Sequence, residues 1–400
     1  MKIVLLRERK NPPDSRVALT PIQCRDLQRQ FAGLDICYEP SPDRCYTDEE
    51  YLQAGIKPGN PEDADILLGV KEVPVDYLIP QKTYLFFSHT IKEQPHNREM
   101  FRNILHKKIR LIDYECLSWP DGGRILGFGH WAGIVGAYNA LLVWGKKFNE
   151  YQIIPAWQCH DFEALKLELK KIKLGPLKIA FTGEGRVAHG ILELLKLAGI
   201  REIHPQDLAS SLPDPVFAQF DYSRLYEHRH GLPFNKKHFY QHHAEYRCLF
   251  SKYFCDTDIL INGMYWEKDM DILFQVEDTT QADFNIKVIA DISCDIEGSV
   301  PIMLKDTKIA DPVFGYDPKN RNICPAYTSN CIDIMAVSNL PAELPRNASE
   351  TFGEMLSKDV LPLLIQDPTP DIIREATITE NGEIHSPYRY LSHYGNNVTE

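Results

Sequence analysis

Two side chains in the first hundred residues could move protons. Lys71 follows the apolar run 66–70 and is walled by Val70, Val73 and Pro74. Partial desolvation of an ammonium in such a setting lowers its pKa toward the range in which an amine serves as a general base. His89 follows a second apolar run, 84–87, and imidazole titrates near neutrality without help. Such an acid and base suit amine chemistry coupled to hydride transfer, in which an imine must be protonated while a carbinolamine sheds water. Each residue alone has a plain alternative: a lysine that snorkels to solvent, or a core histidine held by hydrogen bonds. On adjacent strand ends the pair is the more specific signal.

Cations follow the same layout. Arg16, Lys92 and Arg124 lie near the expected strand ends and could hold the carboxylates of a small dicarboxylic or amino acid substrate. Glu72 and Glu115 could set the protonation of these neighbours and hold an ammonium. A third apolar run ends at Asp113 and Glu115, so three strands deliver polar groups at their carboxyl ends. That edge is where open α/β sheets bind ligands.

The stretch 177–200, LKIAFTGEGRVAHGILELLKLAGI, reads as strand, tight turn and helix. Gly183 can take positive φ at the strand end, Gly185 lets the backbone approach a pyrophosphate, and Ala188 packs helix on strand. The free amides and positive dipole end of the helix then face the phosphates of a dinucleotide. A glycine-rich βα turn without a ligand is the alternative. The strand after the motif ends in Ile203, His204 and Pro205 rather than in an acid that would bind the ribose hydroxyls of NAD. Of the two cofactors, NAD and NADP, the missing acid leans toward NADP, although no arginine clearly replaces it.

These groups need a large frame. A chain of 400 residues exceeds the size at which one core keeps growing, so two domains are expected. The net charge of −12 speaks against a nucleic acid partner. Only five apolar residues precede the first charges, and no run approaches a membrane-spanning length. A cytoplasmic protein without signal peptide or membrane partner is expected. The ten cysteines form no CxxC pair. His228, His230, His238, His242 and His243 invite a zinc reading, but their spacing fits no standard ligand set. No metal is expected, and 210–253 reads as an irregular solvated loop over the cofactor cleft. The small-residue stretch near Ala132 reads as the crossover helix leaving the first domain. A long helix is expected over 345–366, packing back on that domain, with a hairpin at Asn381 and Gly382 and a polar tail beyond. Self-association is left open, since no residue pattern locates an interface.

The blocks GVKEVP, FFSHTIKEQ, RLIDYE, GFGHWAG, FTGEGRVAHG, LINGMYWE, ADISCDIEGS and SNLPAELP, in this order, resemble the lysine-forming saccharopine dehydrogenases. They look closest to the lysine-ketoglutarate reductase half of the bifunctional lysine-degrading enzyme, and more distantly like alanine dehydrogenase and transhydrogenase subunits. The similarity runs from about Met1 to about Leu364. It implies an α/β protein of two Rossmann-like, doubly wound parallel-sheet domains with a cleft between them. Residues 1–135 plus 345–400 would form the alanine-dehydrogenase-like substrate domain and 136–344 the dinucleotide-binding domain. The implied reaction converts saccharopine, an oxidised nicotinamide cofactor and water to lysine and 2-oxoglutarate, reversibly. By position, Lys71 resembles the family's general base and His89 its general acid. Arg16, Lys92, Arg124 and Phe128 match substrate-binding positions, joined by Glu115 as a holder of an ammonium. Gln94, Gly183, Gly185 and Arg186 match cofactor-binding positions, and Ser293, Cys294 and Asp295 match a substrate-contacting loop. Before Asn339 and Leu340, at the nicotinamide region, Ser338 stands where the family carries an aspartate. Two alternatives accompany this reading: another amino acid or opine-type dehydrogenase, and a dinucleotide-binding module without catalysis.

Overall fold

Short apolar runs separated by amphipathic stretches bury their strands by laying helices over both faces of a parallel sheet. The computed structural model describes residues 1–366 and 370–395 and builds two α/β units in this way. One unit takes Met1–Phe128 and the chain from Pro345 onward, and the other takes Gly129–Leu344. In chain order the strands are β1 (Lys2–Leu5), β2 (Asp35–Tyr38), β3 (Lys57–Pro58), β4 (Ile66–Leu68), β5 (Thr83–Phe86), β6 (Arg110–Asp113), β7 (Lys178–Thr182), β8 (Arg201–Ile203) and β9 (Val216–Phe220). They continue as β10 (Tyr226–His228), β11 (Tyr246–Cys248), β12 (Ile259–Asn262), β13 (Val288–Asp291), β14 (Val313–Asp317), β15 (Asn322–Cys324), β16 (Ile332–Met335), β17 (Thr377–Glu380) and β18 (Glu383–Ile384).

In the first unit the sheet order is β18-β17-β6-β5-β4-β1-β2-β3. β1 to β6 pair in parallel, and β17 adds antiparallel at the β6 edge. The chain moves outward from β1 through β2 and β3, then restarts at β4 and moves the other way. The loops after β1 and β4 therefore part at a topological switch point, where such sheets open a ligand crevice. Asn381 and Gly382 both take positive φ, 53° and 87°, and turn β17 into β18 as a two-residue hairpin. Phe352, Leu356, Val360 and Leu361 are fully buried in the same core as the strands of this unit. They do not lie on one continuous α-helix: Pro345–Met355 passes through a π turn, Leu356–Val360, into Leu361–Gln366. Pro362 has no N–H to return to the preceding turn, which accounts for the widened ladder just before it. The expected polar tail is also corrected in part. Ser386–Leu391 and Ser392–Gly395 are helical, and Tyr394 is buried against Phe101 with ring centroids 5.6 Å apart. The remainder of that tail, 396–400, lies outside the described residues, as do 367–369.

In the second unit the order is β15-β14-β16-β13-β12-β7-β9-β8. β8, β9, β7, β12, β13 and β16 are parallel, and β14 and β15 extend the sheet antiparallel. The strand next to β7 is thus β9, and β8 is the outer edge. This overturns the reading of 210–253 as an irregular loop. The segment contains β9, an antiparallel β10–β11 pair and the helix Lys236–Gln241, packed on Tyr222, Tyr226, Phe239, Tyr246 and Phe250. Pro213, Asp214 and Pro215 directly before β9 supply breaker signals that mask a five-residue buried strand.

The helix Gly129–Phe148 belongs whole to this unit and crosses the helix Arg186–Leu197 backbone to backbone. A Cβ at Gly133 would lie 2.0 Å from Val187 O, and one at Gly190 would lie 2.0 Å from His130 O. Gly133 and Gly190 permit this close approach, while Gly136 on the same helix makes room for Ile292 and Gly145 for Tyr151. Among the described residues no helix is long and apolar enough to cross a membrane.

Candidate active site

At the switch point of the first unit, Glu8 leaves β1 and accepts the amides of Val70 at 2.6 Å and Lys71 at 2.9 Å. The start of the Lys71 loop is thereby tied to β1. Burial lifts the Glu8 carboxyl to about 8, against the amides that hold it. The Lys71 side chain is half-buried and its ammonium makes no hydrogen bond or ion pair among the described residues. Burial lowers its pKa first, and the Arg16 cation lowers it further, while Asp14 and Glu72 oppose. An amine at a strand end whose pKa is lowered by burial, and which has no hydrogen-bond partner, is shifted toward the range in which it serves as a base.

His89, three residues past the end of β5, takes positive φ, 52°, and its ring meets Glu72 in the loop after β4. Its Nδ1 lies 2.7 Å from Glu72 Oε1, and Lys10 Nζ donates to the other Glu72 oxygen at 2.8 Å. Burial pushes the Glu72 carboxyl up, but His89 and Lys10 together hold it well below the usual carboxylate range. An anionic Glu72 takes the Nδ1 proton of His89 as a donor and leaves Nε2 as the exchanging nitrogen. Glu72, the chain neighbour of Lys71, thus holds His89.

The predicted carboxylate receptors are each already committed to an acid. Arg16 is buried and donates to both Asp14 oxygens, Nε at 2.9 Å and Nη2 at 2.7 Å, with its guanidinium 4.1 Å over the Phe128 ring. Phe128 in turn stacks on Phe352 at 4.6 Å. Lys92 and Arg124, both exposed, share Glu115 Oε1 at 3.3 and 3.0 Å. Glu115 itself is buried, and its Oε2 has no partner. That open acceptor suits an ammonium or amine N–H. Asp113, the buried last residue of β6, accepts the amides of Ser88 at 3.1 Å and Glu115 at 2.7 Å, and burial raises it to about 6. Gln94 is half-buried with its carbonyl fixed by the Tyr394 hydroxyl at 2.5 Å. Sequence reading missed Glu8 and Asp14, whose only signal was their place in the loop that carries Arg16.

The second unit holds the remaining positions. Gly183 has φ of +106°, and a Cβ there would lie 2.8 Å from Gly263 O. Gly185 caps the helix Arg186–Leu197 without a side-chain cap, and open space lies where its Cβ would be. Arg186, the first helical residue, is exposed, and Ala188 is fully buried. A glycine turn with open space before an uncapped helix fits a pyrophosphate. Behind it, Asn262 donates to Asp291 Oδ1 and Ser299 Oγ, both at 2.9 Å, and accepts from Thr182 Oγ1 at 2.7 Å. Ser293 Oγ donates to the same Asp291 oxygen at 2.8 Å, and Cys294 takes positive φ, 57°, with Sγ 3.2 Å from Asp291 O. Ser293, Cys294 and the exposed Asp295 therefore form a tight turn braced on β13. Burial raises Asp291 to about 6, and its Oδ2 has no partner. After β16, Ser338 is exposed, Asn339 half-buried and Leu340 buried.

The histidines are not a solvated loop. His228 and His243 are buried, and His228, His238 and Glu245 place ligand atoms within 4.8 Å of one another, as do His243, Glu267 and Asp269. His228 Nδ1 accepts the His230 amide at 3.1 Å, so its proton sits on Nε2, 3.2 Å from Glu245 Oε2. A nitrogen that carries a proton does not ligate a metal. His228 is a hydrogen-bonded core histidine.

Residues 4–135 match the family described as "Alanine dehydrogenase/PNT, N-terminal domain". Among curated proteins, the mitochondrial alpha-aminoadipic semialdehyde synthase of Bos taurus is 30% identical over 442 residues, covering 97% of this chain and 47% of that protein. The chain spans about half the length of the semialdehyde synthases it matches. The L-lysine-forming, NAD(+) saccharopine dehydrogenase of Neurospora crassa is 28% identical over 382 residues, covering 91% of this chain and 90% of its own. Of solved structures, an L-alanine dehydrogenase covers 99% of this chain at TM-score 0.64 and 17% identity, with all of its own chain covered. A transhydrogenase from Sinorhizobium meliloti covers 96% at 0.58 and 12%, again over its whole chain. Both share the fold.

Proposed function

We propose that this chain, a homologue of the L-lysine-forming saccharopine dehydrogenases and the alpha-aminoadipic semialdehyde synthases within the alanine dehydrogenase superfamily, is a nicotinamide-dependent oxidoreductase that interconverts saccharopine with lysine and 2-oxoglutarate. The observation that carries this reading is the unpaired, desolvated Lys71 amine beside a Glu72 carboxylate that orients His89. In the synthetic direction the ε-ammonium of lysine gives its proton to Lys71, and the neutral amine adds to the keto carbon. His89 Nε2 protonates the carbinolamine oxygen as water leaves, with Glu72 holding the charged ring. The dinucleotide, when bound, supplies hydride to the imine carbon or takes it from the amine carbon. Gly183, Gly185 and Arg186 would hold its phosphates. Arg16, Lys92 and Arg124 would hold substrate carboxylates in exchange for part of their present acid partners, and Glu115 Oε2 would accept an ammonium.

A second reading, a different amine or an opine-type dehydrogenase, is favoured by one residue. Ser338 brings a neutral hydroxyl to a position where the resemblance carries a negative charge. Both readings are tested by following oxidation of the reduced dinucleotide by the purified chain across a panel of amines and keto acids. Turnover that requires both lysine and 2-oxoglutarate supports the first reading, and turnover with another pair supports the second. Binding of a dinucleotide with no turnover on any pair leaves the non-catalytic module.

A further inference from the structure

β15 is the outermost strand of the second unit's sheet, and three residue pairs join it to β14: Gly315 with Cys324, Tyr316 with Ile323 and Asp317 with Asn322. An edge held by so short a ladder opens easily. On its other side β14 pairs with β16, where Gly315 stands level with Asp333. Cys324, on β15, and Cys331, directly before β16, thus approach one another from the two strands that flank β14. Gly315 lets them meet, because a Cβ there would lie 2.6 Å from Cys324 Sγ. Beside that bare glycine the Cys324 sulfur comes to 2.8 Å from Cys331 Sγ. Both are free thiols, and a bond of about 2.05 Å needs them to close by less than about 1 Å.

The fold brings the two thiols together before any bond joins them. The turn 325–330 between them carries positive φ at Tyr327 and Asn330, 63° each, and is anchored by the fully buried Asp333. Asp333 Oδ1 accepts the Tyr327 amide at 2.8 Å. Lys147, near the end of the helix Gly129–Phe148, donates to Asp333 Oδ2 at 2.8 Å and to Cys331 O at 2.9 Å. Such preorganisation raises the effective concentration of one thiol at the other, so a small thiol attached to either is displaced by ring closure. The two sulfurs are not equivalent. Cys331 is buried, and burial followed by the neighbouring Cys324 sulfur pushes its thiol up to about 12. Cys324 is half-buried and follows three exposed residues, so it is the sulfur that a solute reaches first.

We propose that Cys324 and Cys331 are a reversible thiol–disulfide site that takes a low-molecular-weight disulfide as its oxidant and, once closed, pins the β15 edge. The Cys324 sulfur attacks the small disulfide; its S–S bond breaks as the mixed disulfide forms, and one small thiol leaves with the Cys324 proton. The Cys331 sulfur then attacks Cys324 Sγ, and the second small thiol leaves with the Cys331 proton. Two thiols of the chain are oxidised, and one small disulfide is reduced to two thiols. Excess small thiol runs the same steps backward. The site does not depend on the reaction proposed above.

The full chain is equilibrated with oxidised and reduced glutathione over a range of ratios, quenched in acid, unfolded and alkylated, and its peptides are weighed. Two of the ten thiols should disappear together as a Cys324–Cys331 disulfide that retains no glutathione, and should return in excess reduced glutathione. Cys331→Ser should trap glutathione on Cys324, and Cys324→Ser should leave Cys331 a thiol. Amide hydrogen exchange over 318–332 should slow by about tenfold or more on ring closure in the unaltered chain, and in neither variant. Cys255, which is exposed, serves as the reference thiol. Cys324 and Cys331 that stay reduced in excess oxidised glutathione while Cys255 is modified overturn the proposal. So does glutathione retained on Cys324 in the unaltered chain, or a closed ring that leaves exchange over 318–332 unchanged.

Discussion

Replacing Lys71 with methionine should make the protein more stable and nearly inactive at the same time. Methionine keeps the length and apolar stem of lysine and adapts to irregular space. What it removes is an ammonium that is half-buried and has no hydrogen bond or ion pair among the described residues. Desolvation and the nearby Arg16 both push Lys71 below the ordinary 10.5. The unfolded chain therefore holds that proton more tightly than the folded chain does. Wild-type stability should rise with pH from the folded pKa of Lys71 up to about 10.5 and be lowest below that window. Lys71→Met should lack this rise and gain on the order of 1 kcal/mol at neutral pH, a figure discounted for partial exposure. That corresponds to roughly 2–4 °C in the melting temperature of a domain of about two hundred residues. A positioned general base contributes about 10²–10⁴ in rate, so kcat with lysine and 2-oxoglutarate should fall by that factor. Dinucleotide affinity should stay within a few-fold, since the glycine turn is in the other unit. Thermal unfolding across pH, cofactor titration and steady-state kinetics read the three quantities. Retention of kcat within tenfold, or a less stable variant that has also lost its cofactor, would refute the assignment of Lys71 as the base.

Glu115→Gln removes the charge shared by Lys92 and Arg124 and exchanges the open Oε2 acceptor for a donor. KM for the amine substrate should rise by about tenfold or more, with KM for the keto acid changed less, as measured in separate substrate titrations. Asp291 is raised to about 6 by burial, so the folded chain binds its proton more tightly than the unfolded one. Stability from this group is present below the unfolded value of 3.8 and is lost as pH rises through about 6. Asp291→Asn keeps Oδ1 for Asn262 and Ser293 and removes the buried charge at Oδ2. Urea unfolding at pH 7 should therefore show it more stable by about 1 kcal/mol, and a less stable variant would contradict the unpartnered Oδ2. Gly190→Ala places a methyl against His130 O, so the two crossing helices must part. A loss of about 1–3 kcal/mol in unfolding, together with weaker dinucleotide binding, is expected.

The parts of the site carried on one strand each were legible in the chain. The runs that became β4, β5 and β6 are short with apolar centres, Ile66–Leu68, Tyr84–Phe86 and the Leu111–Ile112 pair, and the polar residues at or shortly after their ends announce the sheet edge. The glycine turn was legible for the same reason, because Gly183, Gly185 and Ala188 all act within one strand-turn-helix unit. Pairing across the sheet was not legible. That Arg16 is bidentate with Asp14, that Glu8 takes the Val70 and Lys71 amides, and that Glu115 gathers Lys92 and Arg124 are facts of tertiary placement. Strand order within a sheet has no local signature either. β9, masked by the prolines before it, pairs with β7 in the place that chain order would give to β8. The π turn before Pro362 and the buried Tyr394 near the end show the same thing on a smaller scale. A proline and a tyrosine are visible in sequence, but what they do depends on the core they meet.

The most direct measurement is mass spectrometry of the product formed from lysine, 2-oxoglutarate and a reduced dinucleotide deuterated at its transferring position, with both NADH and NADPH tried. A secondary amine joining the two substrates and carrying one deuterium is the predicted product, and it should be absent with Lys71→Met. Glutamate, another amine, or no deuterated product from a chain that binds the dinucleotide would contradict the role given to Lys71, Glu72 and His89.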